Sequence, residues 1–180
     1  MARIVILILL LCACTDLDSH SVVQIRMPGG VTSGFFVAPG IVVTVAHMAS
    51  HHEGPIRIQY LNNDDEAQIV QATIMYVNYE KDRMLLRVRA KGEPVEVCEG
   101  KSGNLVKLWA WRENGPENTQ GRIISHWQGV YYSKLDSEYG YSGGPVVVDG
   151  CVIGMHQGKN SVGWSYASDL NWLEKRIGEE

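Results

Sequence analysis

From Ser21 onward the chain is built of short apolar runs, each closed within a few residues by Gly, Pro, Asn or Asp. This punctuation leaves little room for long helices and favours a succession of strands. Val22–Met27 is closed by Pro28-Gly29-Gly30, while Gly34–Val37 and Ile41–Val45 flank Ala38-Pro39-Gly40 as a hairpin. Ile56-Arg57-Ile58-Gln59-Tyr60 alternates with period two, which predicts a strand with one buried and one wet face. Asn62-Asn63-Asp64-Asp65 reads as a turn before a strand over Ala67–Val77. Met84–Val88, Leu105–Trp111, Ile123–Tyr132, Val146–Val148 and Val152–His156 complete the set. One helix is predicted, at the C-terminus, with Ser168 or Asp169 as its cap and Leu170, Leu173 and Ile177 on one face. About ten short strands and a terminal helix predict an all-β protein of two barrels. The weakest junction between them falls between Lys91-Gly92 and Lys101-Ser102-Gly103.

Composition narrows the function classes. A chain of 180 residues with 45% hydrophobic and 20% charged residues is globular, which excludes a disordered, collagen-like or multi-span membrane chain. Its length allows one domain, or two small lobes sharing a core. With 16 Lys and Arg against 20 Asp and Glu the net charge is -4, so no basic footprint for nucleic acid is present.

The N-terminus is biased differently. Arg3 precedes the apolar run Ile4–Leu11, far shorter than the roughly 20 residues that span a bilayer, so a secretory signal is expected. It ends in Leu11-Cys12-Ala13-Cys14, which resembles the bacterial lipoprotein signal. That resemblance implies a signal peptide over residues 1–13 and an acylated Cys14 that holds the protein at a membrane surface in the cell envelope or periplasm. The alternative is plain secretion with Cys14 as an incidental thiol. Two cysteines then remain, Cys98 and Cys151. In an exported chain such a pair fits a disulfide, and in a reducing compartment two buried thiols.

The segment richest in chemistry is Gly140-Tyr141-Ser142-Gly143-Gly144-Pro145. Glycines on both sides of a serine let the backbone turn tightly and aim N–H groups at one point, as a nucleophile whose reaction creates an oxyanion requires. Gly-x-Ser-x-Gly also suits the nucleophile elbow of an α/β hydrolase, whose acid and histidine follow the serine. Only 38 residues follow Ser142, and they lack a strand–helix alternation, so that order is unavailable. The order His, Asp, Ser is available: Thr44-Val45-Ala46-His47 ends an apolar strand, and Asp82 opens Arg83-Met84-Leu85-Leu86-Arg87-Val88. Asp64, Asp65 and Asp136 are rival acids, none directly before a strand at the matching point.

In these blocks, from Ser33-Gly34-Phe35-Phe36-Val37 through His47, then Asp82, then Gly140–Pro145, the chain resembles the trypsin-like (chymotrypsin-fold) serine peptidases. The tail Tyr166–Leu173 also looks like the closing helix of that family. The resemblance implies two six-stranded antiparallel β-barrels with a C-terminal helix. The domain would cover residues 19–180, with the first barrel over about 19–95 and the second over about 96–180. It implies an endopeptidase in which Ser142 is the nucleophile, His47 the general base and Asp82 the group that orients the imidazole. The N–H groups of Gly140 and Ser142 would form the oxyanion hole. A peptidase-like binding module without turnover, or an esterase on the same fold, are the competing expectations.

For substrate choice the resemblance points two ways. Asp136 lies six residues before Ser142, where family members that cleave after Arg or Lys carry the acid at the base of the specificity pocket. His156, in Val152-Ile153-Gly154-Met155-His156-Gln157-Gly158, resembles the histidine with which glutamyl endopeptidases and viral 3C-like peptidases bind Glu or Gln, and Ser137 matches a pocket hydroxyl of the former. The two imply opposite charges, unless Asp136 pairs with His156. The strand ending at Gly158 is expected to pair with an extended polypeptide substrate through backbone hydrogen bonds. Tyr141 departs from the family, standing where many digestive members carry an Asp that pairs with a newly cut N-terminus, so a pocket formed without propeptide cleavage is expected. No cofactor is implied. No metal is expected, because His47, His51 and His52 lack the glutamate of the zinc-hydrolase pattern and a distant third ligand.

Overall fold

The computed structural model describes residues 16–49 and 54–178. The expected signal segment, the acylation candidate Cys14, and His51 and His52 lie outside the described residues. Six strands form a first closed antiparallel barrel: β1 (Val22–Met27), β2 (Gly30–Ala38), β3 (Ile41–Thr44), β4 (Ile56–Leu61), β5 (Ala67–Asn78) and β6 (Arg83–Val88). Six more form a second: β7 (Leu105–Arg112), β8 (Gly115–Trp127), β9 (Val130–Lys134), β10 (Pro145–Val148), β11 (Cys151–Lys159) and β12 (Ser165–Ser168). The first winds in the order β1-β2-β3-β6-β5-β4 and the second as β7-β8-β9-β12-β11-β10, which is the same path repeated. A five-residue helix, α1 (Leu173–Ile177), follows. Among the described residues no helix is long and apolar enough to cross a membrane.

Period-two alternation explains why the unbroken apolar runs are strands. In β3, Val42 faces the interior of the first barrel, with Val23, Ile25, Phe36, Ile58, Met84 and Leu86. Ile41 and Val43 face the other way, into a layer between the barrels with Phe35, Leu85, Val147, Val152, Met155 and Leu173. A strand buried on both faces has no wet positions to mark its period, hence Ile-Val-Val-Thr. The second barrel is filled by Val106, Leu108, Ile123, Tyr131, Val146 and Ile153. Each fully buried side chain of this size contributes about 1.5–3 kcal/mol, so the layer between the barrels welds them firmly.

The connection between the barrels is stitched down rather than loose. Val95 N–H donates to the Phe36 carbonyl at 2.9 Å, and Cys98 N–H to the Val152 carbonyl at 3.0 Å. Val152 N–H returns a bond to Glu96 at 2.8 Å, and Cys98 and Cys151 are joined as a disulfide. α1 carries the chain back to the first barrel. Trp172 packs against Tyr76 with the Arg83 guanidinium 5.1 Å from its ring centroid, and Arg176 lies over Tyr76.

Three local expectations need correction, and half of one strand was unforeseen. Ile123–Tyr132 is not one strand, because Gln128 and Gly129, both at positive φ, turn the chain between β8 and β9. The first half of β8 is polar (Glu117-Asn118-Thr119-Gln120) and gave no strand signal; continuous pairing from Leu105↔Arg122 to Arg112↔Gly115 imposes it. Residues Ser165–Ser168 are strand β12 rather than part of the closing helix. The helix starts at Leu173 with Trp172 at its N-cap, whereas Asp169 bonds its N–H to the Gly129 carbonyl and turns its carboxylate toward Arg83, 3.6 Å away.

Closing a loop of 53 residues stabilises a chain by about 4 kcal/mol through the entropy of the unfolded state. The Cys98→Ser/Cys151→Ser double variant is expected to lose about 2–4 kcal/mol in urea unfolding. An unchanged midpoint would mean that the backbone bonds of the connection carry the stability without the covalent bond.

Candidate active site

The residues singled out from the sequence fall on two kinds of connection. His47 follows β3 in a single 3-10 turn closed by Ala49 N–H to the Ala46 carbonyl at 2.9 Å. Asp82 ends the turn between β5 and β6, at φ 51°. Aspartate tolerates that left-handed conformation better than most residues, and there it turns its carboxylate back onto the His47 segment. One oxygen, Oδ1, accepts from the backbone N–H groups of Ala46 and His47, both at 2.8 Å. The other, Oδ2, lies 2.8 Å from His47 Nδ1. An ionised carboxylate only accepts, so Nδ1 carries the proton and Nε2 keeps its lone pair. One carboxylate thus fixes the tautomer of the ring and the backbone that carries it. The hydrogen bond from Asp82 raises the His47 pKa above 6.5; burial opposes this, and the Asp82 charge adds to it.

Ser142 stands in the connection between β9 and β10, which is the second barrel's counterpart of the connection that carries His47. Two successive turns shape it. Tyr141 N–H bonds to the Glu138 carbonyl at 3.2 Å with Gly140 at φ 93°, and Gly144 N–H to the Tyr141 carbonyl at 3.0 Å with Gly143 at φ 81°. A glycine at positive φ in the third place of each is the signature of a type II turn. Gly143 is needed for space as well, because a Cβ there would collide with the Ser33 carbonyl and Thr44 Oγ1. Gly143 N–H donates to the His156 carbonyl at 2.7 Å, and His156 N–H donates to the Gly144 carbonyl at 2.9 Å. Of the five N–H groups from Gly140 to Gly144, those of Gly140 and Ser142 have no acceptor among the described residues. These are the two expected to stabilise an oxyanion.

The first barrel grips this turn through residues that the sequence did not single out for a role. Ser33 N–H donates to the Ser142 carbonyl at 2.8 Å, Ser33 Oγ to the Gly140 carbonyl at 2.8 Å, and Thr32 Oγ1 to the Ser142 carbonyl at 2.5 Å. Ser33 Oγ in turn accepts from Trp111 N–H at 3.0 Å, and its carbonyl accepts from Thr44 Oγ1 at 2.7 Å. The available signal was two hydroxyl residues, Thr32 and Ser33, in a strand that is otherwise apolar. Gln157 is a second unforeseen link. Its Nε2 donates to the carbonyls of Lys81 (2.8 Å) and Asp82 (3.1 Å), while its own carbonyl lies 3.5 Å from Ser142 Oγ.

The specificity candidates do not converge. Asp136 does not sit at the base of a pocket: its side chain is 89% exposed and pairs with Lys159 Nζ at 3.2 Å, not with His156. His156 is buried, and its Nδ1 has no hydrogen-bond partner among the described residues. Burial pushes its pKa down to about 4, with the Lys159 charge acting in the same direction, so the imidazole is neutral at pH 7. Ser137 Oγ is 3.3 Å from Ser165 Oγ, which donates to the Leu135 carbonyl at 3.0 Å. Gly158 follows the irregularity in β11, facing the Tyr166 ring. Tyr141 is buried and donates its hydroxyl to Glu117 at 2.8 Å; burial, with Glu117 alongside, pushes its pKa up to about 12. Among the described residues no group of three His, Cys, Asp or Glu side chains is placed to hold a metal ion.

The fold has close counterparts among solved structures. A serine endoprotease from Yersinia pestis superimposes with a TM-score of 0.77 at 20% identity, covering 89% of this chain and 64% of the other. The Rv3671c protease from M. tuberculosis in its active form gives 0.77 at 21%, covering 89% and 81%. The MamO protease domain from Magnetospirillum magneticum gives 0.73 at 19%, covering 90% and 97%. What is shared at these identities is the two-barrel fold of trypsin-like serine proteases. No family model and no curated protein matches the sequence.

A raised His47 pKa means that protonation persists to higher pH, so any activity that uses its Nε2 lone pair should rise through a midpoint above 6.5. Asp82→Asn removes the charge and, with its one oxygen held by the Ala46 and His47 N–H groups, turns an NH2 donor toward Nδ1, which selects the other tautomer. A pH–rate profile should show kcat lower by about 10⁴-fold, with the acidic midpoint moved down; an unchanged profile would remove Asp82 from the site.

Proposed function

We propose that this protein is an exported serine endopeptidase acting through His47, Asp82 and Ser142. The observation that carries this reading is the Asp82 carboxylate, bonded at once to the His47 ring and to its backbone, and linked through Gln157 to a serine turn whose Gly140 and Ser142 N–H groups have no acceptor among the described residues. In the first step Ser142 Oγ attacks the scissile carbonyl while His47 Nε2 takes its proton, and the carbonyl π pair moves onto oxygen. The oxyanion is met by the N–H groups of Gly140 and Ser142, a contribution of about 3–4 kcal/mol per donor in comparable sites. The imidazolium, stabilised by Asp82, gives its proton to the leaving amine as the C–N bond breaks, leaving an acyl-enzyme on Ser142. Water attacks the ester by the same route in reverse and restores the free serine.

The substrate is a polypeptide in extended form. β10 ends its pairing with β11 at Pro145↔Met155, so on that side Gln157–Lys159 offer an open strand edge, the element that a peptide backbone can extend. Exposure and pairing with Lys159 take away the argument for Asp136 as a selector of Lys or Arg. A buried neutral His156 with an unused Nδ1 favours an uncharged hydrogen-bonding side chain, so of the two expected classes cleavage after Gln or Glu has the better support, with Gln ahead of Glu. The Cys98–Cys151 bond fits an oxidising compartment and hence export, with Cys14 as the lipid anchor.

A fluorophosphonate probe should label the wild-type protein and not Ser142→Ala. Absence of labelling would leave a binding module, and turnover of esters but not peptides would leave an esterase. In a peptide-library profile cleavage should cluster after Gln and Glu; clustering after Lys and Arg would overturn the role given to His156. In cell fractionation Cys14→Ser should move the protein from membrane to soluble fraction, and unchanged membrane association would remove the anchor.

A further inference from the structure

The turn that supplies the first oxyanion N–H is not self-locking. Its central peptide joins Tyr139 to Gly140, and rotating that peptide by half a turn converts a type II turn into type I. The closing bond, Tyr141 N–H to the Glu138 carbonyl, is common to both forms and cannot choose between them. Gly140 tolerates either sign of φ, and nothing lies within 4 Å of the place its Cβ would occupy. In a trans peptide the C=O and N–H point in opposite directions. The rotated form would therefore put the Tyr139 oxygen where the Gly140 N–H stands, and a lone pair would face the developing oxyanion.

One side chain holds the peptide from the far side. Arg112, at the end of β7, donates from Nη1 to the Tyr139 carbonyl at 2.7 Å. Its remaining nitrogens are fixed in turn: Nη2 lies 3.0 Å from Glu138 Oε2, and Nε lies 3.4 Å from Glu117 Oε1. The guanidinium carbon sits 5.4 Å from the centroid of the Tyr141 ring, whose hydroxyl donates to the same Glu117. The group is therefore oriented by two carboxylates and a ring before it meets the carbonyl, and a charged donor forms the stronger class of hydrogen bond. A cavity of about 560 Å³, lined in part by Arg112, Tyr139 and Gly140, lies beside this contact and leaves the peptide room to turn.

We propose that Arg112 is a positioning residue that holds the Tyr139–Gly140 peptide with its carbonyl turned outward, so that the Gly140 N–H remains available to the oxyanion. This rests on the reading of Ser142 as a nucleophile, but the conformational part stands apart from turnover and can be measured without it. Tyr139-Gly140 is the sole Tyr-Gly pair in the sequence, so carbonyl-¹³C tyrosine with ¹⁵N glycine gives one correlated NMR signal for that peptide. In Arg112→Ala this signal should shift and broaden while the other glycine amides stay in place, and Arg112→Lys should fall between the two. A signal unchanged in Arg112→Ala overturns the proposal. Should Arg112→Ala not fold, Arg112→Gln, uncharged and two bonds too short to reach the carbonyl, should show the same shift and broadening, and an unchanged signal there overturns the proposal.

Kinetics supply the second reading. kcat should fall about 10- to 100-fold in Arg112→Ala, below the full loss of an oxyanion donor, with KM within about 3-fold. Affinity for a peptide aldehyde, whose adduct with Ser142 carries the oxyanion, should fall about as much as kcat, while affinity for the matching peptide alcohol stays level. Equal loss for aldehyde and alcohol would show a general binding defect and overturn the role at the oxyanion. Wild-type protein inert toward the probe would refute the peptidase reading alone, and the NMR result would still decide the clamp.

Discussion

Ser33 is where the two barrels meet as chemistry rather than as packing. Its N–H and Oγ hold two carbonyls of the Ser142 turn, while its Oγ and its own carbonyl each accept a further bond. The residue is fully buried, so each of these bonds is made where water cannot replace it. Gly143 can approach so closely only because it lacks a Cβ, and Ser142 owes its place to that approach. Replace its side chain and two polar groups of the second barrel, the Gly140 carbonyl and the Trp111 N–H, lose a partner at once. Its worth is therefore that of a small network, not of one hydrogen bond.

The repeated winding of the barrels gives the site its economy. In each barrel the third strand leads to the fourth by a connection that leaves the wall, and these two connections carry His47 and Ser142. The acid comes from the hairpin that closes the first barrel, β5–β6, and Gln157 reaches across from β11 to bond the carbonyls at its tip. The apolar layer that includes Phe35, Val43, Leu85, Val147 and Met155 packs together the two barrels that carry them. Burial supplies the strength of the arrangement, and a handful of hydrogen bonds supplies its accuracy.

Much of this was legible in the sequence. Apolar runs with period two, or with none where both faces are buried, mark β1, β3, β4 and β6, and the glycines around Ser142 announce the turns that need positive φ. What escaped was set by partners distant in sequence. The polar half of β8 is a strand because β7 pairs with it, and no local preference says so. Asp169 looks like a helix cap, yet its N–H and carboxylate are engaged by Gly129 and Arg83 from other elements. Asp136 stands at a telling distance from Ser142, but Lys159 at the end of β11 meets it in solvent. Arg112 and Gln157 bear no motif at all, since each acts on a backbone carbonyl, which any residue could present.

The way the serine turn is gripped also sets a schedule. Its holders are Thr32 and Ser33, far ahead of it in the chain, and His156, just behind it. The first barrel closes on residues that end at Val88 and can be complete early, in line with the tendency of leading units to fold first during synthesis. The turn itself must wait until β11 has been made and docked. A nascent chain, or one severed between the barrels, thus holds His47 and Asp82 already in register while the Ser142 turn is still unformed. That order of assembly comes from connectivity alone.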